Sequence, residues 1–124
     1  MKTTNKKKII IATGGTGGHI FPAYSLARNF IKKDYSVEII TDKRGLKYLE
    51  RNKDIKIILN NSATIYKKNI INIFFSIFII FFSYVKSLVI LYKTKPAIVF
   101  GMGGHASFPV CIAAKTLNIP FIIY

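Results

Sequence analysis

Two glycine-rich segments constrain this chain more than any other feature: Gly14-Gly15-Thr16-Gly17-Gly18-His19 and Gly101-Met102-Gly103-Gly104-His105. Each follows a short β-branched run and precedes an amphipathic one. Residues 8–13 read as a strand buried on both faces, because they form a near-continuous apolar run that glycines then break. From residue 18 to about 33, Ile20, Phe21, Tyr24, Leu26, Ala27, Phe30 and Ile31 recur at helical spacings, with Pro22 expected in the first turn. Residues 37–41 read as a second strand, 45 to about 51 as a short helix, and 55–59 as a third strand ended by Asn60-Asn61. An apolar stretch over 69–92 follows, then a strand over 97–100, a helix from 107 to about 117 and a last strand over 120–124. Strands alternating with helices imply an α/β fold built on a Rossmann-like parallel sheet with right-handed crossovers. With strand order 3-2-1-4-5, the two glycine loops leave neighbouring strands and flank one crevice, where open α/β sheets bind ligands.

A glycine turn at a strand-to-helix junction lets the backbone approach an anion, and the helix dipole favours negative charge there. Two such loops at one crevice point to a shared anion or diphosphate site. A dinucleotide fingerprint is not met: counting from Gly15, the third glycine is replaced by Ile20, and Asp42 is a loose candidate for the ribose-binding acid. Neither loop continues into Lys-Ser or Lys-Thr, which argues against a Walker-type nucleotide site. His19 and His105 lack partners at metal-ligand spacing, so no metal is expected. A neutral imidazole at His19, at the mouth of the first helix, could accept a proton from a sugar hydroxyl or simply cap the helix.

Among 124 residues, 19 Lys and Arg stand against 5 Asp and Glu, a net charge of +14, which favours anionic partners such as phosphorylated substrates or acidic lipid. Nucleic acid is a poor fit, because the aromatics cluster in one apolar run and do not alternate with Lys and Arg. The single cysteine, Cys111, leaves no internal disulfide framework. The apolar run after Lys8 is too short for a signal peptide, so no export is expected. Residues 69–85 carry no charge, about 26 Å as a helix against about 30 Å of hydrocarbon. Asn69, Asn72, Ser76, Ser83 and Ser87 fall in one narrow polar stripe, and the remaining surface is apolar. A domain core covers only one side of such a helix. Shallow insertion into a membrane surface, a wholly buried crossover and a membrane span are the three readings. A span would separate strands of one sheet. Lys67, Lys68, Lys86, Lys93 and Lys95 frame the segment and could meet anionic headgroups, which favours surface docking through residues 67–95.

The run Gly14-Gly15-Thr16-Gly17-Gly18-His19-Ile20-Phe21-Pro22-Ala23, with Lys95-Pro96, Gly101-Met102-Gly103-Gly104, Ser107-Phe108-Pro109 and Ile119-Pro120, closely resembles the N-terminal domain of the MurG family. The resemblance covers essentially all of the chain. It implies the N-terminal, acceptor-side half of a two-domain GT-B glycosyltransferase that inverts the donor's anomeric centre without a cofactor or required metal. The implied donor is UDP-N-acetylglucosamine, the implied acceptor a lipid-linked muramoyl-pentapeptide, and the implied location the cytoplasmic face of the cell membrane. On this resemblance His19 is the base for the acceptor's 4-hydroxyl. Thr16, Gly17 and Gly18 belong to the substrate-binding loop, and Gly103 and Gly104 lie near the acceptor diphosphate. Two positions depart from the family pattern: His105 stands where the family often has an aromatic residue, and Tyr124 stands at the first position of a His-Glu-Gln-Asn run. The expectation is therefore an incomplete N-terminal domain, not competent for turnover alone, with the nucleotide-sugar domain missing. The alternative reading is a non-catalytic phosphate- or nucleotide-binding module at a membrane.

Overall fold

A computed structural model of the chain describes residues 6–49, 55–60 and 70–124. Its elements run β1 (Lys8–Ala12), α1 (Gly17–Lys32), β2 (Ser36–Thr41), α2 (Lys43–Leu49), β3 (Lys56–Leu59), α3 (Ile70–Thr94), β4 (Ile98–Gly101), α4 (Ser107–Thr116) and β5 (Phe121–Ile123). The five strands form one parallel sheet in the order β3-β2-β1-β4-β5. That is the order expected from the two glycine loops. Lys67, Lys68, Asn69, Arg51 and Asn61, to which the sequence reading gave roles, lie outside the described residues.

Alternation along the strands divides the core in two. Ile9, Ile11, Val37 and Ile39 face one side, where Ile20, Ala23 and Ala27 of α1 and Leu49 of α2 cover them. Ile10, Ala12, Ile40 and Val99 face the other side and meet Leu91 of α3 with Val110, Ala113 and Ala114 of α4. Ile10, Ile11, Ile39 and Ile40 are completely buried. Each such side chain contributes roughly 1.5–3 kcal/mol through removal from water, so the central strands carry much of the stability. The strand edges that bear the glycine loops are thereby rigidly held.

Two boundaries differ from the sequence expectation for identifiable reasons. Helix α1 begins at Gly17, so Pro22 falls in its second turn. Lacking an N–H, Pro22 leaves the Gly18 carbonyl without its usual intrahelical donor. Helix α2 begins at Lys43, earlier than expected, because the Asp42 Oδ1 accepts from the backbone N–H groups of Arg44 and Gly45, both at 3.0 Å. Asp42 therefore caps this helix.

Helix α3 is turned so that its polar stripe faces the protein. Ser76, Ser83 and Ser87 are buried together with Leu91, whereas Phe74, Phe75 and Phe82 are each more than 60% exposed. The stripe is used in hydrogen bonds. Asn60, just past the end of β3, donates through Nδ2 to the Ser83 carbonyl at 3.2 Å and to the Ser87 hydroxyl at 2.9 Å. The Ser87 hydroxyl in turn donates to the Ser83 carbonyl at 2.7 Å, and Lys86 Nζ donates to the Leu59 carbonyl at 2.5 Å. Only 17% of the most apolar stretch of α3 is buried, so the wholly buried crossover is overturned. The helix joins β3 to β4, two parallel strands of one sheet with β2 and β1 between them, an arrangement at odds with a membrane span.

Candidate functional site

The two glycine loops meet directly. The Gly14 N–H donates to the Gly103 carbonyl at 2.9 Å, just beyond the last β1–β4 bond, in which the Met102 N–H donates to the Ala12 carbonyl at 2.8 Å. Sheet pairing thus continues into the loops and locks them side by side. A Cβ at Gly14 would lie 2.6 Å from the Gly104 Cα, and one at Gly104 would lie 2.4 Å from the Gly14 Cα. Gly103 and Gly104 have φ of +88° and +82°, a left-handed conformation that favours glycine. Both loops are specified by steric necessity.

His19 sits in the first turn of α1, half-buried, against the second loop. A Cβ at Gly103 would lie 2.8 Å from its Nδ1 and 2.9 Å from its Cε1. The imidazole therefore occupies the space left by the missing side chain of Gly103. Thr16 is the N-terminal cap of α1 with extended backbone (φ −101°, ψ 149°), but its hydroxyl makes no capping hydrogen bond. Its carbonyl accepts from the N–H groups of His19 and Ile20, both at 3.0 Å. The first turn of α1 carries no acidic residue, and a Cβ at Gly18 would meet nothing within 4 Å. An anion at this end would meet open backbone and the positive pole of a 16-residue helix.

The first turn of α4, beyond the second loop, is also free of acidic residues, and its Ser107 hydroxyl donates to the Gly104 carbonyl at 2.9 Å. His105 is exposed on that loop. Thr16, Gly17, Gly18, His19, Gly103 and Gly104, scattered over the sequence, are thus brought to one mouth at the C-terminal ends of β1 and β4. Among the described residues no group of three or more His, Cys, Asp and Glu side chains is placed to hold a metal ion.

Sequence reasoning missed the wall contributed by α2. A Cβ at Gly15 would lie 2.4 Å from Asp42 Oδ1 and 2.5 Å from Arg44 Cβ, so this pair closes over the first loop. The Arg44 Nη2 donates to Asp42 Oδ2 at 3.0 Å. Phe21 and Tyr48, both exposed, pack edge to face at 5.9 Å beside Gly17. The available signal was an acidic residue directly after a strand, which marks a helix cap.

The chain matches the model of the glycosyltransferase family 28 N-terminal domain over residues 9–124. It is 42% identical over 118 residues to a Rickettsia prowazekii protein named UDP-N-acetylglucosamine--N-acetylmuramyl-(pentapeptide) pyrophosphoryl-undecaprenol N-acetylglucosamine transferase, covering 95% of this chain and 29% of that protein. A protein of the same name from Wolbachia sp. subsp. Brugia malayi is 40% identical, with 94% of this chain and 32% of the relative covered. Among solved structures, the Acinetobacter baumannii MurG superposes with a TM-score of 0.80 at 25% identity, covering 94% of this chain and 34% of that one. The chain spans about a third of the length of these relatives.

Proposed function

Because the chain belongs to glycosyltransferase family 28, as an N-terminal domain, we propose that it is the acceptor-side part of an inverting N-acetylglucosaminyltransferase. In this reading the whole protein moves N-acetylglucosamine from UDP-N-acetylglucosamine to a lipid-linked muramoyl-pentapeptide pyrophosphate during peptidoglycan synthesis. The relatives named for that reaction support it, and the observation that carries it is the bridged pair of glycine loops with an imidazole set between them. In this reading the nucleotide-sugar site belongs to the part of the relatives' length that this chain does not span.

The chemistry assigned to this chain is modest and specific. Backbone N–H groups of Thr16, Gly17 and Gly18, with those of Gly103 and Gly104, hold the acceptor diphosphate. His19 accepts the proton of the acceptor's 4-hydroxyl as that oxygen attacks the donor's anomeric carbon. The bond from that carbon to the UDP oxygen breaks, UDP leaves with the electron pair, and the configuration inverts. Donor and acceptor supply every atom of the product, so this scheme needs no cofactor.

The test is His19→Ala in the full-length protein. Turnover should fall by about 10²- to 10⁴-fold, the usual worth of a positioned base, while acceptor binding changes little. Undiminished turnover would eliminate His19 as the base.

The outward face of α3 supports a peripheral location on the cytoplasmic face of the membrane. Ile70, Ile71, Phe74, Phe75, Phe81 and Phe82 are exposed on one helix, and Lys86, Lys93 and Lys95 are exposed toward its other end. An apolar surface this large on a helix in water marks an interaction site, and basic residues alongside it fit anionic headgroups. Cosedimentation with vesicles containing anionic lipid should be strong at low salt; indifference to both lipid and salt would refute docking.

A further inference from the structure

We propose that Arg44, clamped by Asp42 across Gly15, is a third anion-holding element of the mouth and bonds the acceptor diphosphate directly. This rests on the acceptor-site reading above. The position carries the first part of the argument. The space that a side chain at Gly15 would fill is occupied by Asp42 Oδ1 at 2.4 Å, Arg44 Cβ at 2.5 Å and Arg44 Nε at 2.9 Å. The guanidinium stem therefore lies on the loop whose next residues, Thr16 and Gly17, open the first helix.

Preorganisation carries the second part. The Asp42 side chain is only 7% exposed and accepts from the Arg44 and Gly45 N–H groups and from Arg44 Nη2, all at 3.0 Å. The Arg44 side chain is 54% exposed. Its stem is fixed while its head reaches solvent at the mouth. A guanidinium offers five N–H donors in a rigid fork that matches two phosphate oxygens, and the bond to Asp42 Oδ2 takes one of them. Capping does not account for the arrangement, since Asp42 caps α2 through Oδ1 and the bond from Arg44 Nη2 to Oδ2 is additional to it. With the carboxylate beside it, Arg44 adds directed hydrogen bonds more than net charge, so lysine is a poor substitute.

The experiment uses the intact protein, with inorganic pyrophosphate as a binding probe and steady-state kinetics as the second readout. Arg44→Gln should weaken pyrophosphate binding and raise KM for the acceptor by about tenfold or more, the scale of one lost charge-assisted hydrogen bond. The KM for the donor, the kcat and the thermal midpoint should stay close to wild type, and Arg44→Lys should restore only part of the loss. Binding and acceptor KM unchanged in Arg44→Gln, against a wild type that binds pyrophosphate, would overturn this inference and leave the glycine-loop reading standing. A rise confined to the donor KM, or a large drop in the thermal midpoint, would overturn it equally. Failure of the wild type to bind pyrophosphate would remove both.

Discussion

Gly14 and Gly104 approach so closely that neither can carry a side chain, and this fixes expectations for single substitutions. Gly104→Ala meets both a backbone clash and a left-handed φ, and should cost at least about 1–3 kcal/mol, the price of a strained backbone position, measured by denaturant unfolding. Gly18→Ala is the contrast. Its Cβ would meet nothing, so folding should be unharmed, or improved by up to about 1 kcal/mol, while anion binding weakens as the methyl group crowds the open amides. Cys111 gives a pH prediction. Burial against the sheet raises its thiol pKa above the ordinary 9.0, because the thiolate is poorly solvated there. The folded state then holds its proton to higher pH than the unfolded state, so this contribution to stability declines as pH rises above about 9. Comparing Cys111→Ala with wild type from pH 7 to 10 should show the wild type losing more. At this scale the sequence made the glycines and His19 legible, because their spacing follows the strand-to-helix junctions. It did not make Arg44 legible, because its role depends on how α2 lies across Gly15, a relation between segments that periodicity does not encode.

Helix α3 is the element where pattern and structure need each other. The polar stripe was readable from spacing, but not its direction, since a stripe of Asn and Ser on an apolar helix can face water or protein. Asn60 decides it by supplying a donor to Ser83 and Ser87. Replacing Asn60 by Leu removes both bonds and should lower stability by about 1–3 kcal/mol, seen as a lower midpoint in chemical unfolding. The opposite result is expected on the outer face. Changing Phe74, Phe78 and Phe82 together to Asp should leave that midpoint nearly unchanged, because the three rings are 63%, 48% and 68% exposed. Binding to anionic vesicles should nonetheless fall by more than tenfold, since burial of one such ring is worth about 1.5–3 kcal/mol.

Across the whole molecule, the order β3-β2-β1-β4-β5 follows from two facts visible in the chain: short β-branched strands joined by helical crossovers, and glycine loops after the first and fourth. The distribution of the +14 charge was not visible, because Lys residues are scattered along the sequence and acquire a side only in the fold. Salt should therefore weaken vesicle binding without abolishing it: exposed charges are screened beyond about 8 Å at physiological ionic strength, while the apolar contribution persists. The anchoring of α3 at Asn60 has one more consequence. Asn60 lies at the C-terminal end of the sheet, the end from which the glycine loops open, and it grips the helix at Ser83 and Ser87. The residues of α3 before Ser83 therefore rise beyond that end of the sheet by about 20 Å at 1.5 Å per residue, like a keel on the side of the mouth. Sunk in a lipid leaflet, the keel would bring the opening down to headgroup height, so a substrate tethered by its tail could be served without being lifted from the bilayer.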